Sequence, residues 1–271
     1  MEWQSEAEKK LNRAPFFIRK KIRALVENEA LRQGDSLVSL KHLQDCREKF
    51  FTGVQTGPTE PTPAYSVETC MGSDSCPNNL IKDYQLVEQL ERMLAERNLA
   101  AFFRKKVKGP LKFHHRFSIV IAGCPNACSR PQIADLGIIG VSQPRISKEP
   151  CSGCGACVEN CPDQAITLGE DGRTPEISTP PCLACGQCSQ TCPTGTLIER
   201  ERGFRLLVGG KLGRHPQLGR ELAGIYSATE TLTVAGTCLD IFQQHNQHGE
   251  RFGEVLHRLG PQSPLPMQEK F

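Results

Sequence analysis

Twelve of the 14 cysteines in this 271-residue chain fall into short, regular spacings. Residues 151–162 read CSGCGACVENCP and residues 182–193 read CLACGQCSQTCP, both C-x2-C-x2-C-x3-C-P, about 31 residues apart. Thiolates are soft ligands suited to iron–sulfur clusters. Two-residue gaps let a tight loop set three sulfurs around one cluster. The small residues Gly153, Gly155, Ala156, Ala184 and Gly186 let the backbone come close and turn amides toward those sulfurs. Structural zinc also takes four thiolates, but zinc sites rarely repeat an eight-cysteine pattern of this kind. Outside the repeats, TCMGSDSCPNN carries Cys70 and Cys76 as C-x5-C, and AGCPNACSRPQ carries Cys124 and Cys128 as C-x3-C. The second pair follows the apolar run FSIVIA, so it sits where a buried strand emerges from a sheet. Four thiolates from two such loops can hold one more four-iron cluster. Four unrelated buried thiols are the simpler reading, but glycine and proline flank both pairs as in exposed loops. The expectation is three [4Fe-4S] clusters.

The elements that must position these ligands can be read from periodicity. Residues 1–50 are expected to form a helical domain. A helix over Ser5–Arg13 stops before Pro15. A second runs from Pro15 to about Gln33, with Ile18, Ile22, Leu25 and Val26 on one face and Gly34 as its cap. Ser39 starts a third, ending near Phe50. Residues 51–64, FTGVQTGPTEPTPA, are a linker with little to bury. From Tyr65 the pattern is mixed. Asn79–Arg97 is an amphipathic helix with Tyr84, Val87, Leu90 and Leu94 inward, and Phe117–Ala122 and Leu136–Val141 are buried strands. Residues 146–200 form a cysteine-rich insert whose apolar residues Ile166, Leu168, Leu197 and Ile198 would shield clusters. Phe204–Val208 returns to strand, and helices follow at His215–Ile225, Ala228–Asn246 and Phe252–Leu259. Ser227 and Glu230 form a capping box. The expected class is α+β: a reductase-like part over 65–145 and 201–271, interrupted by the insert.

Bulk properties exclude several roles. The net charge of +3 and the absence of a long basic tract give no support to nucleic-acid binding. The first residues, MEWQSEAEKK, lack the apolar core of a signal peptide. No stretch approaches the ~20 apolar residues of a membrane span. A cytoplasmic location without membrane insertion is expected, where grouped cysteines bind metal rather than form disulfides. Cys46 and Cys238 fall outside every spacing and read as free buried thiols; Met71 beside Cys70 reads as packing. His245 and His248 read as surface residues at a helix end. No phosphate loop, nicotinamide fingerprint or Ser–His–Asp triad is present. Electrons must therefore come from outside the chain, from a ferredoxin or a flavoprotein.

The insert resembles the bacterial two-cluster ferredoxins. In that family the fourth cysteine of each repeat serves the other cluster. The resemblance thus implies one set of Cys151, Cys154, Cys157 and Cys192, and another of Cys182, Cys185, Cys188 and Cys161. The flanking parts resemble the sirohaem-dependent sulfite and nitrite reductases, of anaerobic or dissimilatory type. The matching segments are the two cysteine pairs, GCPNAC, DLGIIG and VGGKLGRHP at 208–216. That resemblance implies a four-iron cluster on Cys70, Cys76, Cys124 and Cys128, with Cys128 also bridging to sirohaem iron, whose far side takes an anionic substrate. Sirohaem is rich in carboxylates and implies cations. Candidates are Lys105, Lys106, Lys108, Lys112, His114, His115, Arg116 and Arg130, then Lys211, Arg214, His215 and Arg220. Arg130, Lys211 and Arg214 are the candidate catalytic residues beside Cys128; Lys211, Arg214 and His215 are candidates for holding the cofactor. Gly209 and Gly210 would let the backbone approach a flat cofactor. Full members of the family have two related halves and this chain shows one, which implies either that a partner subunit or a second copy completes the site or that the substrate pocket is open or altered. The N-terminal unit, WQSEAEKKLNRAPFFIRKKIRALVENEALRQG, resembles the small helical C-terminal domain of a light-independent protochlorophyllide reductase subunit. That implies a module that docks on a tetrapyrrole or a partner; a generic helical adaptor is the alternative.

Together these readings predict an oxidoreductase that passes electrons through the two insert clusters to a sirohaem-coupled centre reducing a small oxyanion, sulfite first among the candidates. An electron-transfer subunit with three clusters serving a catalytic partner is the alternative, and a tetrapyrrole-related reductase of another substrate is a third.

Overall fold

The computed structural model describes residues 1–11, 16–52, 64–70, 76–81 and 85–266. Arg13, Pro15, most of the expected linker, Met71, Tyr84 and the Ile18 side chain lie outside them. The chain divides into two units, Met1–Thr62 and Pro63–Phe271.

In the first unit, β1 (Glu2–Trp3) pairs in parallel with β2 (Leu37–Val38), and α1 (Ser5–Leu11), α2 (Phe16–Arg32) and α3 (Leu40–Thr52) supply the helices. Ala7, Leu11, Val26, Ala30 and Val38 are buried. Val26 and Ala30 stand one turn apart on α2, in line with the half-buried Ile22. Leu25 is rotated off that ridge and is 51% exposed, contrary to expectation. Asp35 N–H reaches the Ala30 carbonyl across Gly34 and closes α2. Ser39 precedes α3, and its N–H donates to Nδ1 of the buried His42. The helix runs on to Thr52, past the expected end at Phe50.

The second unit is built on a five-stranded sheet of order β3-β4-β5-β8-β9. β3 (Tyr65–Thr69) and β4 (Phe117–Ala122) are parallel, as are β4 and β5 (Leu136–Ile146). Between β3 and β4 run α4 (Gln85–Glu96) and α5 (Leu99–Lys106). α5 has no counterpart among the expected elements. Asn98, in a left-handed conformation at φ 46°, restarts the helical phase after α4. Leu86, Leu90 and Leu94 are the buried ridge of α4, while Val87 packs at its margin.

β5 continues past its expected end. It pairs antiparallel with β8 (Leu197–Val208) from Leu136 opposite Val208 out to Ile146 opposite Leu197, with a bulge at Gln143/Pro144. The insert is carried at the tip of this two-stranded stalk. It contains α6 (Ala156–Glu159), an antiparallel pair of β6 (Ile166–Leu168) and β7 (Pro175–Ile177), and α7 (Gln187–Thr191). β9 (Arg220–Glu221), α8 (Ala228–His245) and α9 (Phe252–Leu259) complete the unit. The helix expected over His215–Ile225 does not form. Pro216 has no amide to donate; Lys211 and Gln217 instead exchange both backbone hydrogen bonds, and β9 then joins the edge of β8. The Ser227–Glu230 capping box is present at α8.

Strand alternation sorts the two faces of the sheet. Ile119, Ile121, Leu136, Ile138, Leu206 and Val208 join α4, α5, α8 and α9 in the main core, where Phe242 touches the rings of Phe102, Phe103, Phe117 and Phe252. Ala122, Ile139, Val141 and Leu207 form a small apolar patch on the other face. Ala127 and Ala184, each from a cysteine loop, pack on that second face with Ile225. Among the described residues, no helix is long and apolar enough to cross a membrane.

A candidate iron–sulfur centre beside a cationic cleft

The two repeats fold alike. α6 and α7 each start after a glycine with a positive φ, Gly155 at 72° and Gly186 at 73°. Two residues earlier Gly153 also has a positive φ, and the matching Ala184 accepts one at 56°. These left-handed residues wrap each loop inward. Cys151, Cys154, Cys157 and Cys192 line one small pocket, closed by Leu168, Pro175 and Leu197. Cys161, Cys182, Cys185 and Cys188 line another, with Pro144, Ile166 and Leu183. Each pocket thus takes three sulfurs from one repeat and one from the other. Amides aim at sulfur: Gly153 N–H lies 3.4 Å from Cys151 Sγ, Ala165 N–H 3.2 Å from Cys161 Sγ and Leu197 N–H 3.4 Å from Cys192 Sγ. Burial raises the pKa of Cys157, Cys182 and Cys188, and neighbouring sulfurs raise each further. Burial pulls Cys192 the same way, but hydrogen bonds from Leu197, Thr194 and Thr196 outweigh it and bring that thiol down to about 7. A set of crowded, half-buried thiols facing inward needs a strongly cationic centre to ionise together. Among the described residues no three His, Cys, Asp or Glu side chains stand close enough for a single metal ion. The sulfurs instead surround pockets, which suits a polynuclear cluster.

The second constellation lies where β3 and β4 end. Cys70 follows β3, and its N–H bonds the Ile121 carbonyl. Gly123 follows β4 and donates to Cys70 Sγ at 3.4 Å. A Cβ on Gly123 would sit 2.2 Å from Asn79 Oδ1, so the Asn79 side chain of the Cys76 loop packs directly on this glycine. Burial raises the pKa of Cys124 most; a hydrogen bond from the Asn126 backbone opposes it, and the sulfurs of Cys76, Cys128 and Cys70 raise it further. The four thiols are therefore neighbours. Cys128 is the exposed one.

From the residue after Cys128 a cleft of about 670 Å³ opens. Ser129, Arg130, Ser118 and Val120 form its floor; His114, His115, Arg116, Lys211, Arg214, His215, His248 and Arg251 bring positive or protonatable groups; Glu68, Glu250 and Glu254 are the acids. Arg251 is held by Asp135, which is only 1% exposed. Arg251 Nε and Nη2 donate to Asp135 Oδ1 and Oδ2 at 3.2 and 2.8 Å, and Ser118 N–H and Oγ donate to Oδ2 at 2.9 and 2.8 Å. Lys211 is buried, and its Nζ donates to Glu254 Oε1 at 2.7 Å. Burial raises Glu254, but that hydrogen bond and the Lys211 and Arg251 charges carry it below the usual carboxylate range. His114 and His115 are both lowered, first by burial and then by surrounding cations: Lys112 and Arg251 for His114, and His114 and Lys112 for His115. This is a site that favours an anion.

The candidate residues do not all meet here. Arg130, Lys211, Arg214 and His215 line the cleft, as do His114, His115 and Arg116, whereas Lys105, Lys106, Lys108, Lys112 and Arg220 do not. Lys106 is turned away and bonds the Asn246 carbonyl. Arg251 and His248 were not among the candidates, and neither was Asp135. Asp135 was legible in part, as a lone acid at the start of the apolar run that becomes β5. Gly209 and Gly210 serve the protein's own chain rather than leaving room for a flat cofactor. A Cβ on Gly210 would stand 2.3 Å from the Gln132 carbonyl oxygen, and one on Gly209 3.1 Å from Gly253 Cα. His245 ends a helix, its carbonyl taking Arg258 Nη2. Cys238 is fully buried and its thiol is strongly raised by burial, while Cys46 is half-buried.

The family described as the nitrite and sulphite reductase 4Fe-4S domain matches residues 64–263. The family of the protochlorophyllide reductase 57 kD subunit matches residues 3–47. The coenzyme F420-dependent sulfite reductase of Methanocaldococcus jannaschii is 34% identical over 216 residues, 79% of this chain and 32% of that protein. One subunit of the anaerobic sulfite reductase of Salmonella typhimurium is 45% identical over 62 residues, 23% of this chain and 18% of that one. A crystal structure of dissimilatory sulfite reductase I superposes with a TM-score of 0.49 at 22% identity, covering 74% of this chain and 51% of that one. The chain spans about a third or less of the length of these two sulfite reductase relatives.

Proposed function

The chain belongs to the nitrite and sulphite reductase 4Fe-4S domain family, and from that premise we propose that it is an iron–sulfur oxidoreductase that reduces a small oxyanion, sulfite, at the cationic cleft. The observation that carries this reading is the continuity of the Cys70/Cys76/Cys124/Cys128 thiols with that cleft through Ser129 and Arg130. When bound, three four-iron clusters would relay single electrons from an external ferredoxin or flavoprotein, and sirohaem would supply the metal centre that takes the substrate.

The residues present fit these groups. Cys128 offers an exposed thiol beside the cleft. Arg214, His215 and Lys211, from the loop after β8, face it together with Arg116 and Arg130, a donor set suited to carboxylates. Arg251, fixed by Asp135, presents a preorganised cation where an oxyanion would give up hydrating water. His114 and His115, held toward the neutral form, gain affinity for a proton once an anion lies beside them, and so are placed to deliver one. Phe113 and Leu212 stand 87% and 61% exposed at the rim. They support a partner subunit or second copy over the cleft.

The likeness to one subunit of an anaerobic sulfite reductase favours a second reading, an electron-transfer subunit whose catalysis occurs on a partner. Anaerobic purification with iron counting, visible and EPR spectra and a sulfite assay with a reduced viologen separates the two. About twelve irons, plus one with an extractable tetrapyrrole and sulfite turnover, is expected. An iron-replete chain with no tetrapyrrole and no turnover overturns the first reading in favour of the second.

A further inference from the structure

The two pockets of the insert are not equivalent in their relation to the rest of the second unit. The pocket of Cys151, Cys154, Cys157 and Cys192 is lined only by residues of the insert and its junction with β8. The pocket of Cys161, Cys182, Cys185 and Cys188 is lined in addition by Pro144, at the bulge of β5. The loop between Cys182 and Cys185 is also latched to the sheet. Ser142 N–H donates to the Ala184 carbonyl at 2.7 Å, and Ser142 pairs with Cys185 as an isolated parallel bridge. Gly186 lies so close that a Cβ there would be 2.6 Å from Ser142 Oγ.

The same loop meets the other cysteine constellation. Ala184 and Ala127 pack on one apolar patch with Ala122, Ile139, Val141 and Leu207. Ala184 stands between Cys182 and Cys185, and Ala127 between Cys124 and Cys128. A second link joins the same two cysteine sets through other segments, because Gln187 Nε2, at the start of α7, donates to Asn78 Oδ1 at 3.5 Å, two residues from Cys76. Buried Ser142 and the half-buried Ala184 and Ala127 thus form an apolar-backed joint between two sulfur sets. No corresponding contact reaches Cys151, Cys154 or Cys157 among the described residues, and Cys154 is exposed.

We infer that the insert is a directional relay: Cys151, Cys154, Cys157 and Cys192 form the outer set, where the external donor delivers its electron, and Cys161, Cys182, Cys185 and Cys188 form the inner set, which passes it across the Ala184–Ala127 joint to the set at Cys70, Cys76, Cys124 and Cys128. The inference rests on the cluster-bearing reading above and assigns an order that reading leaves open. With a cluster bound in each set, one electron would leave a low-potential one-electron donor and arrive at the third cluster; each insert cluster would gain and then lose it, with no bond or proton changing hands. Tunnelling falls steeply with distance, so a latched joint of small side chains favours this path over any that skips the inner set.

The test uses the full chain with all clusters assembled and reduced bacterial ferredoxin as donor. Freeze-quench EPR follows reduction of the third centre, with no sulfite turnover needed. Cys154→Ala should hold about eight irons and slow that reduction at least tenfold. Cys185→Ala should slow it equally and also remove the spin-coupling broadening of the third centre in fully reduced protein, which Cys154→Ala should leave intact. Should Cys154→Ala not fold, Cys151→Ala carries the same expectation. An unchanged rate in the outer-set variant, or broadening lost there and kept in Cys185→Ala, overturns the order. Wild-type chain that assembles no cluster at Cys70, Cys76, Cys124 and Cys128 overturns the cluster-bearing reading itself, and with it the relay.

Discussion

Removing the charge of Asp135 should destabilise the second unit and disarm one wall of the cleft. The carboxylate is 1% exposed and receives four donors: two from Arg251 and two from Ser118. Asp135→Ala leaves Arg251, whose side chain is 20% exposed, beside a void and orphans the buried Ser118 amide. Breaking a buried pair from one side costs roughly 3–5 kcal/mol. The partial exposure of Arg251 lets water recover some of that, so about 3 kcal/mol is the expectation. For a unit of this size that lowers the melting temperature by roughly 6–12 °C. Asp135→Asn keeps the shape but turns an NH2 toward at least one of the four donors, and should cost about 2 kcal/mol. Urea unfolding followed by far-UV CD, with hydrogen exchange at Ser118 to isolate this unit, reads both values. The double variant Asp135→Asn/Arg251→Gln should lose less than the sum of its singles by at least ~1 kcal/mol, since the pair is removed together. Single variants within ~0.5 kcal/mol of wild type, or strict additivity, would refute the claim that this pair is a buried, coupled anchor.

Three further outcomes follow from the same geometry. Gly210→Ala should cost more than about 2 kcal/mol or abolish folding, because its Cβ would meet the backbone oxygens of Gln132 and Ala134 at 2.3 and 2.8 Å; Gly213→Ala, with φ +119° and nothing within 4 Å, should cost only about 1 kcal/mol of backbone strain, both read by thermal melts. Phe242→Ala should cost roughly 3–5 kcal/mol, since its ring joins four others in the core, and a melting temperature within a few degrees of wild type would contradict the assignment. Binding of a carboxylate-rich porphyrin to the metal-free chain should tighten as pH falls from about 7 to about 5.5: the free histidines are lowered, an anion raises them again, and binding therefore takes up protons. Fluorescence titration of His114→Gln/His115→Gln should show that slope flattened.

The cysteine sets were legible because their chemistry is local. A cluster loop needs three thiols within a few residues, and small residues between them, so the C-x2-C-x2-C-x3-C-P repeats declare themselves without any tertiary information. Buried strands such as FSIVIA were legible for a like reason, since a run with almost no polar residue has one way to avoid water. The capping box at Ser227 and Glu230 is a contact across three residues. Where expectation failed, a distant partner decided. His215–Ile225 has enough apolar residues for a helix, but Lys211 and the free edge of β8 took its hydrogen bonds. Leu25 matches the apolar count of α2 and misses its buried ridge by a rotation that only the neighbouring elements define.

The amino-acid order by itself determined how the thiols group into loops and the α+β class, because spacing along the chain limits which atoms can come together. It could not determine which cations face the cleft. Arg251 and His248 stand far along the chain from Arg130, and Lys106 is as basic as either yet turns to Asn246. Nor could it show that Gly209 and Gly210 yield space to the Gln132 and Gly253 backbones. Charge and backbone room are properties of a place, and the sheet assembles that place from strands whose order only the folded chain establishes.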